Sequence, residues 1–290
     1  KKNIALNMLY FKRHIYSSDY IYFKNLLFGF FELKRINKLD CNITIFIKKK
    51  YLINLKEDFF FDERIKVNHT KTLFFINFLL NKFDLIFTPN WFFPFLFKRR
   101  KNKIYNLIHD HGWIKSKLIS KTMIFGKYAI PIAKHLFNQN FIYTTKTVSE
   151  SYYSNDLTIG VPIHKFKNSK KIDINFNKYF LIISTNIPHK NIKTIIDAVI
   201  SINSKRKKNE LKFVLLGDFN YNIPNLIIKK NISDENKWFL IDECHALINP
   251  SALEGFGMPV AEALLSKKHA ITSNLKVYDE YSLNGIIKVK

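Results

Sequence analysis

The chain has 290 residues, of which 47% are hydrophobic and 16% aromatic, and its net charge is +24. This composition excludes a disordered chain, and the length favours two domains. Two cysteines are too few for a disulfide framework or a cysteine-rich metal site, so we expect a reducing compartment. No apolar run approaches the ~20 residues of a membrane span, and the first residues lack the long apolar region of a signal peptide.

The positive charge has two explanations. It could attract an anionic partner, such as a nucleotide or a phospholipid surface. It could also reflect AT-rich codons, because lysine, asparagine, isoleucine, phenylalanine and tyrosine are all abundant while glycine is scarce. Nucleic-acid binding is disfavoured, since only six of the 47 basic residues are arginine and no helix-turn-helix, zinc-finger or RNA-binding motif is present.

The first half of the chain alternates strands with helices, which predicts a parallel sheet covered by helices. The predicted strands are 4–8, 42–48, 65–67, 84–88, 103–108 and 141–148, and the predicted helices are 18–37, 73–80 and one opening at 149–151. Ligands bind beyond the carboxyl ends of such strands. The strand 103–108 delivers His109 and Asp110 to that edge, where a histidine can exchange a proton near neutral pH. A structural histidine in a loop is the alternative.

An aromatic stretch, 91–97, precedes the basic run 98–101. Aromatic residues beside basic residues suit an anionic membrane interface. A short buried helix followed by a solvated turn explains the same pattern, and both interpretations stay open. The lysines scattered over 115–134 favour an ordinary amphipathic helix.

The polar, lysine-rich stretch 162–177 has no clear periodicity, so we place the domain boundary there, with domains 1–165 and 166–290. The second domain repeats the alternation. Its predicted strands are 179–184, 211–216, 246–248 and 269–272, and its predicted helices begin at Ile192, Ser233 and Pro259. It is a Rossmann-like unit but not a dinucleotide-dependent oxidoreductase, because no Gly-x-Gly-x-x-Gly follows the first strand of either domain.

The most informative stretch lies between the strand at 246–248 and the helix at Pro259. Its turn contains Gly255 and Gly257, with Glu254 and Glu262 on either side. A strand, a glycine turn and a helix start form an anion site, because free amides and the helix dipole point at the ligand. A plain strand-to-helix turn with solvated acidic residues is the alternative. Lys190, just before another helix start, would add a cation to a phosphate site. Taken alone, a solvated lysine in a lysine-rich chain explains it better.

The run Glu254-Gly255-Phe256-Gly257-Met258-Pro259, with Glu262, resembles the donor-site signature of the retaining glycosyltransferases of family 4, "glycosyl transferases group 1", in their mannosyltransferase-like form. His109-Asp110, the run 147–150 and the run 159–162 follow in the order that this family shows. The resemblance implies an α/β fold of the GT-B type, with two Rossmann-like domains facing a cleft. The chain departs from the family by lacking a glycine-rich loop after the first strand and by having His189 where relatives often have arginine.

By this resemblance, the catalytic positions are His109, Asp110 and Glu254, where Glu254 orients sugar hydroxyls and is not a nucleophile. The implied donor-binding residues are His189, Lys190, Glu254, Gly255, Phe256, Gly257, Met258, Val260 and Glu262. Glu262 would bind the ribose of the nucleotide, and Lys190 would neutralise the leaving diphosphate. The resemblance implies no metal and no cofactor beyond the nucleotide-diphosphate sugar, since lysine and amides supply the positive field.

The expected function is a retaining transferase that moves a hexose, mannose as the first choice, from a nucleotide-diphosphate sugar. The acceptor would be a glycan or a lipid-linked glycan in cell-surface polysaccharide synthesis. We expect a cytoplasmic protein, with a peripheral position on the inner face of the cell membrane as a hypothesis. The departures from the family keep an alternative open, in which a degenerate GT-B chain serves as a non-catalytic binding or scaffold subunit.

Overall fold

The computed structural model describes residues 1–8, 18–36, 38, 40–47, 65–68, 83–88, 103–109, 130, 134, 140–152, 156–166, 170–175, 178–205 and 211–289. The chain divides into two compact units, Lys1–Pro162 and Ile163–Lys290, and the sequence placed this boundary between residues 165 and 166. The predicted helix 73–80, the stretch 91–101 and Asp110 lie outside the described residues. Below, helices and strands are numbered in the order in which the described residues present them.

The first unit is built on a parallel sheet. Its elements are β1 (Lys2–Asn7), α1 (Ser18–Arg35), β2 (Cys41–Phe46), β3 (Ile65–Asn68), β4 (Leu85–Thr88), β5 (Lys103–Ile108), β6 (Asn140–Tyr143) and α2 (Lys146–Ser151). The strands pair in parallel in the order β3-β2-β1-β4-β5-β6. The chain therefore builds the sheet outward in both directions from β1 and β4, as in a doubly wound fold.

Helix α1 covers this sheet with one apolar face. Tyr22, Phe23 and Leu27 are buried and pack against strand residues that include Leu6 and Ile45. The recurrence of apolar side chains at helical spacing is what places this stretch on the sheet, since only one stripe of a helix can face a core. Across the part of the chain that the structure describes, no helix combines the length and the apolar character needed to cross a membrane.

The prediction of a strand over 141–148 was wrong in its second half. The strand β6 ends at Tyr143, and residues 146–148 belong to helix α2. The Thr145 hydroxyl accepts a hydrogen bond from the Val148 amide at 3.1 Å and so caps the helix. A threonine that captures a free amide three residues later starts a helix, and this local bond outweighs the strand propensity of Thr147 and Val148.

The second unit repeats the architecture. Its elements are β7 (Phe180–Ile183), a 3₁₀ turn (Pro188–Lys190), α3 (Ile192–Lys205), β8 (Phe213–Leu216), β9 (Leu226–Lys229), α4 (Asp234–Glu243), β10 (Ala246–Asn249), α5 (Met258–Leu265), β11 (His269–Ser273), a second 3₁₀ turn (Lys276–Glu280) and β12 (Ile286–Val289). The strands pair in parallel in the order β12-β11-β10-β7-β8-β9. The sequence did not predict β9 and β12, which are four-residue strands at the two ends of this order.

Helices cover both faces of the second sheet. On one face α3 contributes Ile192, Ile196 and Val199 to the core, as its helical spacing predicted. The other face is covered by α4 and α5, which bury Trp238 and Val260. The predicted α/β fold class, with two Rossmann-like units, is therefore confirmed, while the cleft between them stays a prediction.

The strand order of the second sheet reverses between β7 and β10, which lie side by side at its centre. The chain leaves these two strands toward opposite ends of the sheet, so the loops after them diverge and leave room at the carboxyl edge. Ligands of doubly wound sheets bind at this position. The loop after β7 contains the turn Pro188–Lys190, and the loop after β10 contains residues 250–257.

Candidate functional site

The two loops at the reversal are joined by a backbone bond and an ion pair. The Ala252 amide donates to the His189 carbonyl at 2.8 Å. The Lys190 Nζ lies 2.7 Å from Oε1 of Glu254, whose side chain is only 8% exposed. The structure thus brings together Lys190 and Glu254, two of the predicted site residues, and gives His189 a backbone role in holding their loops.

Asn249, the last residue of β10, organises the loop that follows it. Its side-chain Nδ2 donates to Oε1 of Glu254 at 3.4 Å and to the Tyr278 hydroxyl at 3.2 Å. Its Oδ1 accepts from both the amide and the hydroxyl of Ser251, at 3.2 and 2.6 Å. Sequence reasoning missed Asn249 and Tyr278, although a polar residue ending a buried strand is a detectable signal.

Gly257 gives the loop its sharp entry into α5. Its φ is 86°, in the left-handed region, and it precedes the first helical residue, Met258. A Cβ at this position would lie 2.8 Å from Cε1 of the buried Tyr278 ring. Both the backbone conformation and the lack of space therefore require glycine. Gly255 does not adopt a positive φ, and Pro259 is the second helical residue rather than the first.

The start of α5 leaves only some of its predicted amides available. The Val260 amide donates to the Gly257 carbonyl at 3.0 Å, and the Val260 side chain is fully buried. The Val260 amide is therefore already engaged within the turn, and the role of Val260 in donor binding stays a prediction. Pro259 has no amide hydrogen. Within the described residues, the amides of Gly257 and Met258 have no hydrogen-bond partner. Helix starts leave such donors free, and the helix dipole adds positive potential there.

Glu262, the second predicted glutamate, also pairs with a lysine. The Lys237 Nζ, on the first turn of α4, lies 2.8 Å from Oε1 of Glu262 and 3.5 Å from Oδ1 of Asp234. The side chains of Glu262 and Lys237 are 5% and 14% exposed. Burial alone would lower the pKa of the Lys237 ammonium, but the charges of Glu262 and Asp234 and their hydrogen bonds outweigh burial and raise it. Lys237 was not predicted, because in a lysine-rich chain a single lysine in a helix resembles a solvated one.

The buried Trp238 ring has two lysines beside it. The Nζ atoms of Lys237 and Lys165 lie 5.6 and 5.7 Å from its centroid, distances at which a cation is attracted to an aromatic ring. Lys165 pairs with Asp242 at 2.7 Å and contacts the Ser266 hydroxyl at 3.0 Å. Lys165 and Lys237 thus both contact the Trp238 ring, but only Lys237 pairs with Glu262. Replacing Lys165 is therefore a matched control for replacing Lys237.

His109 lies in the first unit, directly after β5. Its carbonyl accepts a hydrogen bond from the Thr144 hydroxyl at 2.8 Å, and its ring meets Tyr22 edge to face, with centroids 4.8 Å apart. The predicted partner Asp110 lies outside the described residues. In the part of the chain that the structure describes, no group of three or more histidine, cysteine, aspartate or glutamate side chains is placed to hold a metal ion.

Two doubly wound α/β units are the fold of the GT-B glycosyltransferases. The solved structures agree in fold. TarM superposes with a TM-score of 0.66 at 13% identity, over 99% of this chain and 89% of that one. WaaG, a glycosyltransferase involved in lipopolysaccharide biosynthesis, superposes with a TM-score of 0.58 at 11% identity, over 98% of this chain and 86% of that one.

Sequence comparison points to the same class through the second unit. Residues 164–288 match the family "Glycosyl transferases group 1", and this range covers nearly all of that unit. The O-antigen chain mannosyltransferase RfbU of Salmonella typhimurium strain LT2 is 25% identical over 178 residues, which are 56% of this chain and 48% of RfbU. The chain spans about half the length of the curated relatives that it matches.

Replacing Lys237 tests the buried ion pair. We expect Lys237→Met to lower the free energy of unfolding by about 3 kcal/mol, because it leaves the Glu262 carboxylate buried without its counter-charge. Lys165→Met should cost under about 1 kcal/mol, since its pair with Asp242 is partly solvated. Urea unfolding followed by Trp238 fluorescence, in a chain with Trp91 and Trp113 replaced by phenylalanine, measures both. Equal losses in the two variants would contradict the central place of Lys237.

Replacing Gly257 tests the turn. We expect Gly257→Ala to lower the free energy of unfolding by more than about 2 kcal/mol, because alanine is strained at a left-handed φ and its Cβ meets the Tyr278 ring. Gly29→Ala is the control. Gly29 lies in α1, and a Cβ added there would have no atom within 4 Å, so this change should stabilise by about 0.5–1 kcal/mol. Urea unfolding followed by far-ultraviolet circular dichroism compares them, and a stable Gly257→Ala variant would refute the steric requirement.

Proposed function

We propose that this chain is a nucleotide-sugar-dependent glycosyltransferase of the retaining type that moves a hexose to a glycan or lipid-linked acceptor. One observation carries the proposal. Glu254 and Glu262, each paired with a lysine, flank the available amides of Gly257 and Met258 at the strand reversal of the second unit. The match of residues 164–288 to "Glycosyl transferases group 1" supports the same reaction class.

The charges of this arrangement suit a nucleotide diphosphate. Two buried carboxylates alone would repel an anionic ligand by several kcal/mol at short range in a site of low dielectric. Lys190 and Lys237 cancel those two charges, since each lies within 2.8 Å of its glutamate. The amides and the dipole of α5 then give the turn a net positive potential. The glutamates can therefore serve as hydrogen-bond acceptors for hydroxyls without excluding the diphosphate.

Each residue then has a distinct proposed role. Lys190 neutralises the leaving diphosphate, and its ammonium has three donors, so that it can serve a phosphate and Glu254 together. Glu254 orients the hydroxyls of the sugar. Glu262 accepts hydrogen bonds from the ribose hydroxyls through the carboxylate oxygen that Lys237 does not contact. The lysines and amides supply the positive field, so that we propose a reaction with no metal and no further cofactor.

In the proposed reaction, the bond between C1 of the sugar and the phosphate oxygen breaks while the acceptor oxygen forms its bond to C1 on the same face. The acceptor proton passes to the leaving phosphate. No enzyme nucleophile is required, so Glu254 keeps a positioning role. His109 and Asp110 are proposed to act on the side of the sugar and the acceptor, as the resemblance implies.

Mannose is the proposed sugar, and the similarity to an O-antigen chain mannosyltransferase supports it. The proposed acceptor is a glycan or lipid-linked glycan in polysaccharide synthesis, and the similarity to the same relative supports it. The alternative, a non-catalytic GT-B subunit, is favoured by one sequence feature. His189 replaces a permanently charged arginine, and a neutral imidazole binds phosphate less strongly.

The first experiment is a thermal-shift titration with GDP, UDP and ADP. A ligand that binds only the folded chain raises its melting temperature, so we expect a shift with one nucleotide and its loss in Glu262→Ala. Asp197→Ala removes one surface carboxylate from the same unit and should keep the shift. A transfer assay with the matching nucleotide sugars follows, in which Lys190→Ala should lower kcat at least about 100-fold. Nucleotide binding without turnover would favour the non-catalytic subunit, and no binding at all would refute the donor site.

We also propose an anionic membrane surface as a partner, because both units are basic. The first carries 27 lysines and arginines against 11 acidic residues, and the second 20 against 12. The aromatic stretch 91–97 beside Lys98-Arg99-Arg100-Lys101 is the proposed contact.

Vesicle sedimentation tests whether the basic charge serves membrane binding or only reflects codon bias. We expect binding to phosphatidylglycerol vesicles but not to pure phosphatidylcholine, and its loss at high salt. Replacing the four basic residues 98–101 by glutamine should weaken binding about tenfold or more. The same change at Lys205-Arg206-Lys207-Lys208, an equal charge in the other unit, should have less effect. Equal weakening by both would mean that only total charge matters.

A further inference from the structure

The segment after β11 braces the glycine turn after β10. Tyr281, just beyond the 3₁₀ turn Lys276–Glu280, donates its hydroxyl hydrogen to the Phe256 carbonyl, and the same oxygen lies 3.2 Å from the Gly257 carbonyl. The Tyr281 ring meets the Phe256 ring edge to face, with centroids 5.3 Å apart. The phenol therefore holds the Phe256 carbonyl and adds a third contact to the Gly257 carbonyl, which also accepts from the Val260 and Ala261 amides at 3.0 and 3.3 Å.

Holding these carbonyls also orients two amides. In a trans peptide the C=O and the N–H point in opposite directions across the same plane. The peptide of Phe256 carries the Gly257 amide, and the peptide of Gly257 carries the Met258 amide. With both carbonyls turned toward Tyr281, both N–H groups point away from it. These are the two amides that have no hydrogen-bond partner among the described residues.

Tyr278 completes the brace from beneath. Its hydroxyl accepts a hydrogen bond from the Asn249 side chain, and Cε1 of its ring lies 2.8 Å from where a Cβ of Gly257 would be. The centroids of the Tyr278 and Tyr281 rings are 5.9 Å apart. Burial, and after it the charges of Glu254 and Glu280, raise the pKa of the Tyr281 phenol. The phenol therefore stays protonated at neutral pH and remains a donor to the carbonyls.

We propose that Tyr281 is a positioning residue for the diphosphate, which holds the Phe256 and Gly257 carbonyls so that the Gly257 and Met258 amides face the anion. The identity of the ligand rests on the proposed function. The orientation of the amides does not, because it follows from the bonds within the turn. Tyr281 need not contact the nucleotide. Its removal should therefore weaken binding of the phosphates and leave binding of the nucleoside unchanged.

Because glycine and methionine are rare in this chain, the proposal can be tested directly in the full chain. With only eight glycines and three methionines, selective ¹⁵N-glycine and ¹⁵N-methionine labelling gives resolvable amide spectra. In the unchanged chain we expect inorganic pyrophosphate to shift the Gly257 and Met258 amide resonances. In Tyr281→Phe the apparent affinity should fall about threefold to tenfold, the effect of one lost hydrogen bond. No shift in the unchanged chain would overturn the anion site itself.

Tyr179→Phe is the matched control. The Tyr179 hydroxyl is buried in the same unit and donates to a backbone carbonyl, that of Leu240 at 2.8 Å. Its loss should lower the melting temperature to a similar degree without changing the pyrophosphate titration. A matching loss of pyrophosphate affinity in both variants would mean that Tyr281 acts only through general stability, and this would overturn the proposal.

Nucleotides separate this inference from the proposed function. We expect Tyr281→Phe to weaken GDP or UDP binding relative to GMP or UMP and to leave guanosine or uridine binding within about twofold, because only the phosphate contacts change. An unchanged ratio of diphosphate to monophosphate affinity would overturn the role of Tyr281 and leave the nucleotide site intact. Pyrophosphate binding without binding of any nucleotide would refute the nucleotide site and leave the role of Tyr281 standing.

Discussion

The second unit depends on the neutralisation of two buried carboxylates. The side chains of Glu254 and Glu262 are almost fully removed from water, and burying a carboxylate is costly unless a cation is paired with it. The two cations come from different places in the chain. Lys190 follows β7, and Lys237 lies on α4. Each pair therefore also ties the segment around α5 to another part of the unit, so that one electrostatic requirement fixes both the charge of the site and its geometry.

The strand order explains why these residues meet. Because β7 and β10 are neighbours at the centre of the sheet, loops that are far apart in sequence share one edge. Lys190 and Glu254 are 64 positions apart, and Asn249 and Tyr278 are 29 apart. Parallel strands place all their carboxyl ends on the same side. In a doubly wound sheet, several short loops can therefore place residues in one site, and no single loop has to be long.

Sequence patterns predicted what depends on local periodicity and on a dense motif. The alternating elements, the glycine turn between two glutamates and the helix start at Ser233 all follow from neighbouring residues. They could not predict contacts made across the fold. Lys237, Asn249, Tyr278 and Tyr281 are ordinary in their local context, and their importance arises only when the fold brings α4 and the loop after β11 beside the segment around α5. The prediction of a strand over 141–148 was wrong for the opposite reason. The local helix cap at Thr145 outweighed the strand propensity of the residues around it.

The left-handed backbone positions of the described residues are shared mainly between asparagine and glycine. Among the described residues, four of the five non-glycine residues with positive φ are asparagine, at 175, 191, 225 and 231. Asparagine tolerates this conformation better than most residues, and its codons are AT-rich while those of glycine are not. Glycine persists at 217 and 257, where a Cβ would lie 2.3 and 2.8 Å from its nearest neighbour. At these two positions asparagine could not replace glycine, whereas Gly160, where an added Cβ would have no atom within 4 Å, has room for it.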